Sequence, residues 1–182
     1  MSDLSVTLAR WRACLAEALA RRRVPLGFLC GAAVLLLARP TLRSLAIGGV
    51  IAASGEVLRI WAAGHLEKGK EVTRSGPYRF TRHPLYLGSA ILGVGGAVAA
   101  ARASVAALIA VYLASTIVSA IRTEESGMRA AFGDQYDAYL EARAQPAVRR
   151  FSLDRAIKNR EYRAVAGLAA VAAILAAKAA FK

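Results

Sequence analysis

Ser75-Gly-Pro-Tyr-Arg-Phe-Thr-Arg-His-Pro-Leu-Tyr-Leu-Gly88 is a polar stretch that runs straight into an apolar one. Gly76-Pro77 reads as a turn. Pro84 drives His83 out of the α region and suits the first position of a helix. His83 and Tyr86 are therefore expected at the mouth of a helix that enters an apolar medium. The N–H groups of such a helix start favour an anion. Two apolar runs follow, Leu85–Ala101 and Val105–Ile121, separated only by Arg102-Ala103-Ser104, so they are expected to form an antiparallel hairpin. Gly88, Gly93, Gly95 and Gly96 allow close helix contact. Gly93-Val-Gly95-Gly96 is not read as a nucleotide loop, because no strand precedes it and it lies within a span.

Upstream, Leu42–Ala63 is an apolar run of 22 residues that carries Glu56 and Arg59 on one helical face. Ionisable groups inside a span face the bundle interior or a wet cavity. The pair is either an internal tie between helices or a wall of a substrate site. Val24–Ala38 is apolar over 15 residues, short for a span. A basic start followed by a short apolar core is also the pattern of a signal peptide, but the run ends in Arg39-Pro40 without a small-residue cleavage site. In residues 1–23, Trp11, Leu15 and Leu19 share a face among five arginines, the pattern of a helix lying on a membrane surface.

Downstream, Arg122 to Arg163 is polar and is expected to end the hairpin. Met128, Phe132, Tyr136, Tyr139 and Leu140 fall on one side of an amphipathic helix, with Gly133 as a break. Ala164–Phe181 is alanine-rich and reads as a fifth span or as a helix packed on the bundle.

Composition agrees with a membrane protein. Of 182 residues, 57% are hydrophobic, yet the formal net charge is +13. Mean hydropathy is +0.41. The arginines flank apolar runs instead of lining a polar helix, which argues against a nucleic-acid partner. Cys14 and Cys30 lie far apart, and the histidines are His65 and His83 alone, so neither a disulfide framework nor a metal site is expected. Lys and Arg are distributed 19 on the side of the N-terminus and the two polar segments, against five on the other. This asymmetry is expected to place the N-terminus and the polar motifs in the cytoplasm. The whole reads as one all-α, polytopic membrane domain: a surface helix over 1–23, two spans within 24–63, a core over 64–143 and a C-terminal span over 164–181. That makes about five spans and a cytoplasmic pocket, with the oligomeric state left open.

The hairpin brings Tyr78, Arg82, His83 and Tyr86 to the same end as Glu124-Glu125. A pocket with both charge signs and aromatic rings suits a zwitterionic, cationic ligand. Its carboxylate would meet the helix start and His83 or Arg82. Its ammonium or hydroxyls would meet Glu124, and a sulfonium is tolerated at a tyrosine face. S-adenosylmethionine has these parts, although residue types alone do not single it out.

The double motif Ser75-Gly-Pro-Tyr78, Arg82-His83-Pro84-x-Tyr86-x-Gly88, then Glu124-Glu125 and Phe132-Gly133-x-x-Tyr136-x-x-Tyr139 resembles the isoprenylcysteine carboxyl methyltransferase and phospholipid methyltransferase superfamily. The lead-in Gly55-Glu-Val-Leu-Arg59-Ile-Trp61 to His65 looks like bacterial members. The resemblance spans about residues 55 to 143. It implies an integral membrane enzyme, here of a bacterial inner membrane, that takes methyl from S-adenosylmethionine and passes it to a lipophilic acceptor. It also implies cofactor contacts at Lys70, Glu71, Val72 and Thr73, then Tyr78, then His83, Pro84, Leu85 and Tyr86, and then Glu124. Glu125 is the second carboxylate and the expected base for an amine or phenol acceptor. Prenylcysteine enzymes carry a substrate-binding arginine where this chain has Ala120, and Arg122 is the nearest candidate to replace it. A lipid amine, a lipid phenol or another apolar acceptor is therefore as plausible as a prenylcysteine carboxylate. Two rival readings are a membrane sterol-type reductase using NADPH, which carries a similar Arg-His-Pro-x-Tyr-x-Gly pattern, and a non-enzymatic membrane scaffold.

Overall fold

The computed structural model describes residues 25–145 and 147–181. The surface helix expected over 1–23 lies outside them. The described residues are helical, with no strand. In order come α1 (Pro25–Leu37), α2 (Leu42–Ala63), a 3-10 turn (Gly76–Arg79), α3 (Pro84–Ala100) and α4 (Ala103–Phe132). After these come α5 (Asp134–Leu140), α6 (Leu153–Lys158) and α7 (Tyr162–Ala180). Three helices, α2, α4 and α7, are long and apolar enough to cross a membrane, and α1 and α3 are shorter apolar helices. The protein is thus an integral membrane protein.

α2 begins where the sequence demands. Pro40 precedes it, and Thr41 caps it reciprocally with Ser44: Thr41 Oγ1 accepts the Ser44 N–H at 3.1 Å and Ser44 Oγ accepts the Thr41 N–H at 2.9 Å. Such a cap satisfies two donors that the first helical turn leaves open. At this end of the bundle the basic residues close helix C-termini, whose last carbonyls lack intrahelical partners. Arg102 Nη1 donates to Leu37 O at 3.0 Å, and Lys178 Nζ donates to Leu35 O at 2.9 Å and Leu36 O at 2.7 Å. The Arg39 N–H donates to Ala100 O at 2.9 Å. Ala38, Ala99, Ala100, Val105 and Leu175 form the buried cluster beneath these caps.

α2 and α3 run antiparallel in backbone contact. A Cβ on Gly48 would stand 2.5 Å from Gly95 O, and one on Gly55 would stand 2.7 Å from Gly88 O. Between apolar helices in lipid there is no hydrophobic gain to separate contact from non-contact. Close packing of small residues supplies the attraction instead. The glycines therefore divide: Gly88 and Gly95 face α2, while Gly93 and Gly96 face Leu113 and Ile109 of α4.

The hairpin of α3 and α4 is present, closed by Ala101 in the left-handed region and Arg102: the link starts one residue earlier than expected, and α4 begins two residues earlier, at Ala103 instead of Val105. A second difference is larger. The polar segment after Ile121 does not end the helix, and α4 runs 30 residues to Phe132. At 1.5 Å per residue that is about 45 Å, beyond the roughly 30 Å of a bilayer core. Glu124, Glu125, Met128, Arg129, Ala130 and Ala131 all favour helix. They carry the helix through Ser126 and Gly127 as far as Gly133, whose φ of +45° breaks the chain direction and starts α5.

Candidate active site

The loop between α2 and α3 is fixed from below by His65. Its Nδ1 lies 3.1 Å from Ser75 Oγ, and the ring sits between Trp61 and Phe151. Gly76 has φ +58° and a Cβ there would strike the His65 ring, so glycine meets two requirements at once. Burial, then the charges of Arg155 and Arg149, hold the His65 imidazole below its ordinary range. A base whose folded pKa is depressed stabilises the fold fully above its unfolded value, about 6.5, and loses that stability as pH falls through and below it. The melting temperature is expected to fall between pH 7.5 and 5.5 by more in the native chain than in His65→Gln. Equal falls in both would remove His65 as the cause.

α5 folds back over this loop because Gly133 turns the chain. The Tyr139 hydroxyl donates to Tyr78 O at 2.9 Å, and Arg82 Nη2 donates to Leu140 O at 2.8 Å. The Phe-Gly-x-x-Tyr-x-x-Tyr segment is thereby fastened to the Ser75–Gly88 stretch. A cavity of about 570 Å³ lies between them, walled by the loop, the start of α3, the lower half of α4, α5 and Glu161 before α7. Tyr78, Tyr86, Phe132, Tyr136 and Tyr139 give it aromatic walls. Burial, then the carboxylates of Glu125 and Glu124, push the Tyr136 phenol up to about 12. Burial and then Glu124 push the Tyr78 phenol well above its ordinary value. Both rings therefore keep their hydroxyl protons across the physiological range.

Pro84 is the first residue of α3 and His83 its N-cap, with φ −129° and no side-chain cap bond. The positive end of the helix dipole consequently opens on the cavity, where Pro84, Leu85 and Tyr86 are wall residues. The two acids at the far side of the hairpin separate. Glu124 lines the cavity and has no ion-pair partner among the described residues. Glu125 is outside the lining and its Oε1 lies 3.1 Å from His83 Nε2. Successive residues on a helix point about 100° apart, which is why neighbours with one side chain chemistry take different positions.

The structure brings Glu71, Val72, Thr73, Tyr78, His83, Pro84, Leu85, Tyr86 and Glu124 to one cavity. It does not bring Lys70 or Arg122 there. Lys70 is exposed and pairs with Glu67 at 3.5 Å. Arg122 is exposed on α4, outside the lining, while Ala120 is in the wall. Glu71 is part of the wall but is held by Arg149 at 2.8 Å.

Arg59 unites the two readings of its pair, since it ties helices together and also lines the cavity. It lies 3.5 Å from Glu56 and 2.6 Å from Glu161, and it donates to Ser89 of α3. Glu161, buried at 7% exposure, was not among the expected site residues. A lone acid at the edge of the apolar run that begins at Ala164 was the available signal.

A family model described as phospholipid methyltransferase matches residues 45–135, from α2 through the cavity-lining part of α4 to α5. No curated protein and no solved structure matches the chain. The model covers half of the sequence, including Ser75–Gly88 and Glu124-Glu125, so the chain belongs to the phospholipid methyltransferase family: it is a membrane methyltransferase, not a nicotinamide-dependent reductase or a scaffold.

Proposed function

We propose that this enzyme binds S-adenosylmethionine in the cavity and methylates the head of a lipid that reaches it from the bilayer. The observation that carries this is Glu124, a carboxylate without an ion-pair partner among the described residues, facing the α3 start and His83 across an aromatic cavity. Small-molecule sites run to about 300–1,000 Å³, and the cavity, about 570 Å³, falls within that range. Its donor set also fits: the α3 start and Arg82 for a carboxylate, Glu124 for an ammonium or hydroxyls, and tyrosine faces for a cationic sulfur. When bound, S-adenosylmethionine supplies an electrophilic methyl group.

The chain's own work is chiefly placement, since aligned reactants remove much of the entropic barrier. Glu125 acts through His83, fixing the ring at the cavity edge. With Nε2–H donating to Glu125, the lone pair is on Nδ1, and that atom can take the proton an amine or phenol acceptor must shed. The acceptor's route is a groove of about 520 Å³ among α1, α3 and α4, lined by Phe28, Leu113 and Ile117. It shares Tyr86, Ser89 and Ala120 with the cavity. Ala120 offers no cation where prenylcysteine enzymes carry an arginine, and Arg59, which reaches the shared Ser89, is already engaged by Glu56 and Glu161; both favour an amine or phenol over a prenylcysteine-like carboxylate. The excess of Lys and Arg on the cavity side supports a cytoplasmic mouth.

Membranes holding the enzyme, given methyl-labelled S-adenosylmethionine and a total lipid extract, are expected to label a lipid. S-adenosylhomocysteine should raise the melting temperature of the purified protein and NADPH should not. An unlabelled lipid fraction together with no response to S-adenosylhomocysteine would sink the reading.

A further inference from the structure

The segment from Ala147 to Arg163 lies outside the family match, and of its residues only Glu161 lines the cavity. Its inner side is tied to the end of α2 and to the cavity loop. The Ala147 N–H donates to Arg74 O at 3.3 Å and the Ser152 N–H to Gly64 O at 3.1 Å. Arg149 holds Glu71 at 2.8 Å and donates to His65 O at 3.2 Å. Arg155 Nε donates to Gly64 O at 2.8 Å, and Asn159 Nδ2 to Ala63 O at 2.9 Å and Leu66 O at 3.0 Å. The segment is a strap across the wall that carries Glu71, Val72 and Thr73.

Its outer side has a different chemistry. Val148, Leu153, Ile157 and Tyr162 are exposed, Val148 completely. Arg150, Lys158, Arg160 and Arg163 are exposed beside them, with no ion pair among the described residues. Between 147 and 163 there are six basic residues, against Asp154 and the buried Glu161. Apolar side chains flanked by cations are what an amphipathic segment presents to a charged bilayer surface. The strap also sits at the right depth: it bonds the last residues of α2 and runs directly into α7, both helices long enough to span.

We propose that the strap's outer face binds anionic phospholipid head groups, and that this occupancy steadies the cavity wall held on its inner face. Other occupants fit the charge poorly. Residues 1–24 carry five arginines against Asp3 and Glu17, and a second copy would set like charges against like. Each cation at an anionic surface is worth about fivefold in partitioning, and the effect fades with salt.

The test is hydrogen exchange on the full chain in nanodiscs of phosphatidylcholine alone and with added phosphatidylglycerol. It does not depend on the cofactor assignment. In the native chain, phosphatidylglycerol is expected to slow exchange about fivefold or more at the Ala147 and Ser152 amides and in residues 64–75. A triple variant, Arg150→Gln with Lys158→Gln and Arg163→Gln, should lose the difference, while α2 and α3 keep native protection in both discs. Protection that is the same in both lipids, or that survives in the variant, overturns the proposal and points to a neutral occupant of the strap.

Discussion

Glu124→Gln is expected to weaken S-adenosylhomocysteine binding about tenfold, measured by calorimetry on the purified enzyme, with the helical content unchanged. A hydrogen bond to a charged group contributes about 1.5–3 kcal/mol, and 1.4 kcal/mol is a factor of about ten in affinity. The lower end applies because Glu124 is exposed in an open cavity. His83→Ala should cost a similar factor, because it removes a wall residue and leaves Glu125 without its partner at 3.1 Å. Glu125→Gln keeps a hydrogen-bonding group beside His83 and should affect binding less than turnover. Lys70→Ala and Arg122→Ala serve as controls, since both side chains lie outside the lining. Their affinities should stay within about twofold of native, given that surface substitutions away from special features typically change little. Native affinity in both Glu124→Gln and His83→Ala would remove the cavity as the cofactor site.

The contrast among these residues marks how far sequence alone reaches. The bounds of α2, the hairpin, the break at Gly133 and the meeting of the two polar motifs follow from local signals. These are the unbroken apolar run Leu42–Ala63, Pro84 at a helix start, a short polar link around Arg102 and Gly133 as a breaker. Orientation about a helix axis is another matter. Nothing in Glu124-Glu125 says which acid faces the cavity, since both residues are identical and only the position of His83 separates them. The segment Lys70 to Thr73 has the same ambiguity, and the chain resolves it by turning Lys70 out to Glu67. Long-range ties were less visible still. Arg59 and Glu161 stand 2.6 Å apart across two polar segments and a hairpin, and no local pattern joins them. The extension of α4 to Phe132 is hidden for the opposite reason: charge signals the end of a span, while helix propensity carries the backbone on.

The neighbouring glycines Gly48 and Gly49 give the sharpest test of the packing that positions this site. Gly48→Leu is expected to lower the melting temperature by about 6–12 °C, whereas Gly49→Leu should leave it unchanged or raise it. A Cβ at Gly48 would lie 2.5 Å from the Ala99 nitrogen and 2.5 Å from Gly95 O, while one at Gly49 meets nothing within 4 Å. The atoms in the way are backbone of α3, which has no rotamer to yield, so the two helices must separate. Overpacking a close contact costs about 3 kcal/mol at the upper end of its usual range, and 1 kcal/mol shifts a chain of this size by about 2–4 °C. At Gly49 an added Cβ meets nothing within 4 Å, and replacing a helical glycine gains up to about 0.8–1.0 kcal/mol, the full value being that for alanine. Equal destabilisation by both would mean that α2 presents a different face to α3. Gly55→Leu carries the argument to the site, because Gly55 meets Gly88 O at the cavity end of the contact. Separation there draws Arg59 away from Ser89 and the α3 start, so this variant should lose S-adenosylhomocysteine affinity as well as stability. Gly48→Leu, at the opposite end of the same contact, should lose stability first.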